Sequence, residues 1–294
     1  MMWELSRALR PQQWIKNLFV YAPLIFSQNV LNQALVLRAT LAFLAFCLIS
    51  SAVYLLNDLR DIEEDRQHPL KAHRPLASGR LKRSTAVAAL AIIAPAGFLV
   101  ALLVNRSFVF IALGYFALQI AYTLWLKHVV ILDIFVVASG FLLRVVAGGF
   151  AIRVYLSSWL LICTTLLALF LAMGKRRHEI VLMEGRAASH RPILKEYNIY
   201  LLDQMISVVT ASTLVSYIFY CISPETVQKF NTDMLGLTIP FPLYGILRYL
   251  YLVHRREGGG SPSQMLLNDR PLLVCVALWV LAVVVIVYLK PFGV

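Results

Sequence analysis

The chain has 294 residues, of which 60% are hydrophobic and only 14% charged, with a mean hydropathy of +0.75. Soluble domains are about half apolar and about a quarter charged, and disordered chains are poor in apolar residues, so both classes are excluded. The net charge of +12 therefore does not imply nucleic-acid binding: in a membrane protein, excess Lys and Arg marks the cytoplasmic loops and sites for phosphorylated ligands.

The apolar residues come in long blocks, and in lipid the backbone must bond within its own segment, so each block reads as a helix. In chain order the expected spans are 14–30, 35–57, 84–104, 107–125, 131–152, 157–173, 203–222, 236–253 and 271–289. This is an all-α bundle of about nine transmembrane helices, read as one integral-membrane domain over 1–294. The first block is the weakest, being short and broken by Pro23. Nothing beside the first charges of MMWELSRALRPQQW resembles a signal-peptide core, so no cleavage is expected. Pro95, Pro240 and Pro242 are expected to kink spans. Gly148-Gly149 is expected to serve close helix packing, which would also permit homo-oligomers. Cys47, Cys163, Cys221 and Cys275 lie inside apolar blocks without metal-ligand spacing and read as small buried hydrophobes.

With the N-terminus in the cytoplasm, twenty of the Lys and Arg residues fall on cytoplasmic segments and five on outside connections. Arg144 and Arg248 lie within spans. This bias fixes the orientation and leaves the C-terminus outside. Two large cytoplasmic loops, 58–83 and 174–202, carry dense ionisable clusters, so function is expected on that face.

The first cluster is Asn57-Asp58-Leu59-Arg60-Asp61-Ile62-Glu63-Glu64-Asp65. On a helix leaving the membrane, Asn57, Asp61 and Asp65 are four apart and Asp58 is three before Asp61, so all four share one face. Three carboxylates and an amide oxygen repel one another unless a cation lies between them. Hard oxygen donors of this kind suit Mg²⁺, which binds through a few carboxylates while bridging to substrate phosphates.

The motif NDxxDxxxD resembles the signature of the UbiA superfamily of intramembrane transferases. His73-Arg74-Pro75-Leu76-Ala77-Ser78-Gly79, preceded by Lys71, is similar to a conserved segment of that family, and Tyr122 and Lys127 resemble its Tyr/Lys pair near the diphosphate. Typical members carry a second aspartate-rich motif after the sixth span; here that place reads Gly174-Lys175-Arg176-Arg177-His178-Glu179. A basic run there suits a phosphate monoester or extra phosphates. RPQQWIKN (Arg10–Asn17), NDLRDIEED, YTLWLKHVVILDIF, GKRRHE and the DRPL at Asp269–Leu272 together resemble a narrower branch, the decaprenyl-phosphate phosphoribosyltransferases.

The resemblance implies a Mg²⁺-dependent transferase of the bacterial cytoplasmic membrane. It would move 5-phosphoribose from phosphoribosyl diphosphate (PRPP) to a polyprenyl phosphate, for cell-wall arabinan precursors. It implies Asn57, Asp58, Asp61 and Asp65 as metal ligands, with Asp58, Asp61 and Lys127 catalytic. Lys16, Lys71 and Arg74 would bind PRPP, and Tyr54 and Tyr122 would line its site. Lys175, Arg176 and Arg177 would meet the sugar 5-phosphate or the lipid phosphate. Arg144, a costly mid-span cation, is expected to face an internal cavity and to bind substrate there; Asp133 is a doubtful partner, eleven residues away. Two other readings share these features: a prenyltransferase acting on an aromatic acceptor, and a transporter of polyprenyl-linked sugars. Against the transporter, the outer loops are plain and no internal repeat stands out.

Overall fold

The computed structural model describes residues 2–67, 71–182, 193, 196–255 and 262–289. Residues 68–70 of the first large loop, and 183–192 with 194–195 of the second, lie outside the described residues. All regular structure among the described residues is helical. The helices are α1 (Met2–Leu9), α2 (Ala22–Phe26), α3 (Gln33–Arg60), α4 (Ile62–Gln67), α5 (Arg83–Val104), α6 (Arg106–Leu124), α7 (Leu132–Ile152), α8 (Ser158–Leu182), α9 (Ile199–Ile222), α10 (Pro224–Phe230), α11 (Pro240–Arg255), α12 (Pro262–Asn268) and α13 (Arg270–Val284). A 3₁₀ segment, Pro11–Tyr21, joins α1 to α2.

Eight helical segments are long and apolar enough to cross a membrane: Gln33–Arg60, Arg83–Val104, Arg106–Leu124, Leu132–Ile152, Ser158–Val181, Ile199–Ile222, Met234–Arg255 and Arg270–Tyr288. The protein is a multi-pass membrane protein. The block expected at 14–30 is built differently, as the 3₁₀ segment and the five-residue α2. Pro11 opens the first and Pro23 interrupts the α-helical ladder where a span would need to continue. Pro240 likewise opens α11 after a 3₁₀ turn, Met234–Thr238, instead of kinking its interior.

The second large loop begins later than expected. α8 runs on through Gly174-Lys175-Arg176-Arg177-His178-Glu179 to Leu182. Lys, Arg and Glu are good helix formers, and Glu179 pairs with both Lys175 and Arg176 one turn back. The basic run is therefore helical.

The described residues form two compact units, one within 2–156 together with Ile193 and the other within 157–182 and 196–289. In the first unit α3 is the centre. Its buried face is mostly small, with Ala39, Ala42 and Ala45 fully enclosed beside Phe46 and Ile49, so α5 and α7 pack close to it. Phe46 meets Phe108 edge-on at 5.8 Å and Tyr115 at 5.1 Å between ring centroids. Asn105 caps α6 by accepting from Phe108 N at 2.8 Å, and its amide donates to the carbonyls of Phe150 and Ala151 at the end of α7. The Gly148-Gly149 pair permits the close approach expected of it. A Cβ on Gly148 would lie 2.1 Å from the Val20 carbonyl oxygen, and one on Gly149 would meet the Leu156 side chain. The 3₁₀ segment thus lies with its backbone against α7.

In the second unit α8 packs along α9, and α11 along α13. Asp269 starts α13 by accepting from Leu272 N at 2.9 Å, with Pro271 in the first turn. Both Asp269 oxygens also accept from Arg248 of α11, at 3.1 and 2.8 Å. The DRPL sequence thus both begins a helix and ties it to its neighbour. Trp279 donates to Tyr217, whose hydroxyl pairs with Thr238 at 2.6 Å.

Candidate active site

The acidic motif sits where α3 ends. Asn57 and Asp58 are on its last turn, Asp61 is its C-cap, and Asp65 is on α4. The helix bends at Asp61, yet Asp61 N bonds Asn57 O at 2.9 Å and Asp65 N bonds Asp61 O at 2.8 Å. The four-residue rhythm thus survives the bend. Asp58 and Asp65 are buried, at 2% and 3% exposure.

Each carboxylate has a cation. Arg10 Nη2 donates to Asp58 Oδ1 at 2.5 Å, and its guanidinium stacks over the Tyr54 ring at 4.9 Å. Arg74 Nη1 bridges Asp58 Oδ1 at 3.1 Å and Asp65 Oδ2 at 2.6 Å. Lys127, from the 3₁₀ turn after α6, donates to Asp61 Oδ1 at 2.7 Å. Thr123 donates to Asn57 Oδ1 at 3.4 Å. Burial raises the Asp65 carboxyl above its usual range, opposed by Arg74 and Lys71. Tyr122 stands half-buried on the last helical turn before Lys127.

No group of three or more His, Cys, Asp or Glu side chains converges as a metal cage among the described residues. The expected four-residue set is thus not a closed site. It does fit an open one. The second carboxylate oxygens of Asp58 and Asp61 accept no hydrogen bond among the described residues. Mg²⁺ characteristically takes one or two carboxylates and fills its remaining positions with water and phosphate.

Below the motif lies a second cationic group. Arg144 is 4% exposed, and its donors are committed: Nε to Asn17 Oδ1 at 2.7 Å, Nη1 to Gly140 O at 2.7 Å and Nη2 to Tyr115 OH at 2.8 Å. The Tyr115 and Phe141 rings flank it at 4.8 and 5.6 Å. Asn17, itself wholly buried, donates to Cys47 Sγ and Ser50 Oγ on α3. Arg144 therefore takes neutral partners, and the eleven-residue pairing with Asp133 is absent from its bonds. Arg144 is thus held as a fixed, buried charge.

Beside Asn17, Lys16 makes no ion pair among the described residues. Burial, followed by the charges of Arg144 and Arg10, lowers its ammonium from the usual 10.5 to about 8. A lysine crowded by arginines and lacking a carboxylate carries unneutralised positive charge.

Lys175, Arg176 and Arg177 do not converge. Consecutive helical residues point about 100° apart, and here Lys175 is exposed, Arg176 is buried against Glu179, and Arg177 pairs with Asp203 of α9 at 2.6 Å. Sequence reasoning singled out none of Arg10, Asn17 or Tyr115 as functional. The signal for the first two was present in RPQQWIKN, the run they begin and end. The signal for Tyr115 was the mid-span Arg144, which demanded polar neighbours.

The UbiA prenyltransferase family model matches residues 18–270. The chain is 36% identical to a decaprenyl-phosphate phosphoribosyltransferase of Corynebacterium glutamicum, over 97% of this chain and 87% of that one. It is 34% identical to a protein of that name from Mycolicibacterium smegmatis, over 94% and 90%. Among solved structures, a UbiA homolog from Archaeoglobus fulgidus bound to GPP and Mg²⁺ matches with a TM-score of 0.72 and 19% identity, covering 96% of this chain and 99% of that one. The chain belongs to the UbiA prenyltransferase family.

Proposed function

We propose that the protein is an enzyme that transfers 5-phosphoribose from PRPP to a polyprenyl phosphate, decaprenyl phosphate by analogy with its relatives' names, releasing diphosphate. It would work as a single transferase domain in a bacterial cytoplasmic membrane, N-terminus and site on the cytoplasmic face, supplying arabinan precursors. The observation that carries the reading is a split cationic site. One set of cations serves the acidic motif, and Lys16, with Arg144 behind it, offers a second, unneutralised place for anion. PRPP has two phosphorylated ends and a prenyl diphosphate has one.

A phosphate oxygen of the lipid forms a bond to the anomeric carbon as the bond from that carbon to the diphosphate oxygen breaks, its electron pair leaving with diphosphate. The nucleophile is anionic at neutral pH, so no strong base is needed. The oxygens of Asn57, Asp58, Asp61 and Asp65 would hold Mg²⁺, which supplies positive charge to the departing diphosphate. Lys127, oriented by Asp61, adds charge at the same place. Arg74 and Lys71 bind the donor from the loop after α4, and Tyr54 keeps Arg10 over Asp58. Tyr122 shapes the site next to Lys127. Lys175, Arg176 and Arg177 are assigned to phosphate binding as separate contacts, with Lys175 the accessible one.

Purified protein incubated with radiolabelled PRPP, polyprenyl phosphate and Mg²⁺, with no membrane gradient, should yield lipid-extractable label. Absence of label, with prenyl diphosphate but not PRPP raising the melting temperature, would establish the prenyltransferase reading instead. Transport of polyprenyl-linked sugar without chemistry would establish the transporter.

A further inference from the structure

Helix α1 is amphipathic and lies at the edge of the first unit. Its inward residues Leu5, Ala8 and Leu9 pack with Leu55, Leu59, Leu76, Leu81, Ala86 and Ile93. Leu55 and Leu59 belong to the last two turns of the span α3, and Ala86 and Ile93 to the first three turns of the span α5. The helix therefore lies against the ends of two spans, at the depth where hydrocarbon gives way to headgroups. Its outward residues include two large apolar side chains, Met2 at 76% and Trp3 at 71% exposure. Exposed cations lie on α1 and on the segment that leads into α5: Arg7 on α1, Arg80 and Lys82 just before α5, and Arg83 at its first residue. Arg7 and Arg80 both reach Glu4 at 3.7 Å, which fastens α1 to the loop carrying them. Glu4 is the sole acidic residue on α1.

We infer that α1 is an interfacial anchor that seats on a surface of anionic phospholipid, with Trp3 and Met2 inserted at the headgroup boundary and Arg7, Arg80, Lys82 and Arg83 meeting lipid phosphates. Three features select this occupant. Trp is favoured at the interface because its ring is apolar and its N–H is polar. A helix with an apolar edge and a basic surround lies in the interface plane. Several unbalanced cations near one surface favour anionic over zwitterionic lipid. The inference is independent of the reaction proposed above and holds for any substrate.

The test uses the full chain in vesicles, with Trp3 emission isolated by subtracting the spectrum of Trp3→Phe. Lipids brominated near the headgroup end of the acyl chain should quench Trp3, and aqueous iodide should not. Quenching should be stronger in phosphatidylglycerol than in phosphatidylcholine vesicles. The combined variant Arg7→Gln, Lys82→Gln, Arg83→Gln should lose that difference. Quenching by iodide would show Trp3 in water, and quenching by neither agent would show it covered by protein, such as a second copy; each overturns the anchor. Equal quenching in the two wild-type vesicle types would overturn the anionic assignment.

Discussion

Lys127 and Asp61 are separated by 66 residues in sequence and by 2.7 Å in space. The lysine leaves a 3₁₀ turn after α6, the aspartate ends α3, and both are largely buried. The contact holds Lys127 in one direction and leaves Asp61 an oxygen for other duties.

Asp61→Asn and Asp58→Asn should each reduce transfer to background while retaining side-chain size. Each removes a formal charge from the proposed Mg²⁺ site, and Asp61→Asn also releases Lys127. Raised Mg²⁺ should restore part of the activity of a weakened metal site but none of that lost with Lys127→Met. Transfer assays across a Mg²⁺ series, on folded and inserted protein, check this. Full activity in Asp61→Asn would refute the assignment.

Lys16 gives an expectation in pH. Its folded pKa of about 8 lies below its usual 10.5, so between these values the unfolded chain binds more protons and stability rises with pH. Below about 8 the cost of the buried charge is fully present. Lys16→Met should therefore raise the ligand-free melting temperature at pH 7 while weakening PRPP binding. Wild-type protein should also take up a proton on binding PRPP near pH 8.5, because a bound phosphate restores the ammonium; the signature is a binding enthalpy that depends on buffer.

Arg144 leaves two buried groups behind if removed. Arg144→Met strands Asn17 Oδ1 and Tyr115 OH, whereas Gly140 O keeps its helical bond to the backbone, and at about 1–3 kcal/mol for each stranded group should cost roughly 2–6 kcal/mol. Tyr115→Phe deletes a single bond to a charged group and should cost about 1.5–3 kcal/mol. Denaturant unfolding in one detergent ranks them. If Arg144→Met is as stable as wild type, the network is not structural.

The basic turn of α8 separates by exposure. Lys175→Ala should leave stability within about 0.5 kcal/mol of wild type and weaken a phosphate ligand by about 1.5–3 kcal/mol. Arg176→Ala, which removes a buried partner of Glu179, should lower the melting temperature as well. Melting curves with and without polyprenyl phosphate distinguish the two.

The two neighbouring glycines should respond unequally. Gly148→Ala drives a methyl into the Val20 backbone, which has no rotamer to yield, and should cost about 1–3 kcal/mol. Gly149→Ala meets the Leu156 side chain, which can turn away. A lower melting temperature for Gly148→Ala than for Gly149→Ala is the expected order.

Long apolar blocks reveal the spans because lipid leaves the backbone one solution, and Asn57-Asp58-Asp61-Asp65 is visible because a helix repeats every three to four residues. The failures share a cause. The 14–30 block has span-like composition, but Pro11 and Pro23 act on local geometry that average hydropathy does not register. The run at 174 looks like a loop because it is charged, although its Lys-Glu and Arg-Glu spacing is helical. Arg10 reaches Asp58 across 48 residues, and no local pattern encodes such a meeting. Its backbone is left-handed, with φ of 54°, which sequence would assign to Gly or Asn before Arg.

The bond from Arg144 to Asn17 also decides when the cost of ordering the proposed anion site is met. Asn17 is locked between α3 and α7, and Lys16 is its immediate neighbour, so that stretch of backbone loses its freedom as the chain folds. A phosphate arriving at Lys16 meets a chain segment already in place. The free energy of its contacts goes to affinity, with little spent on immobilising the receptor.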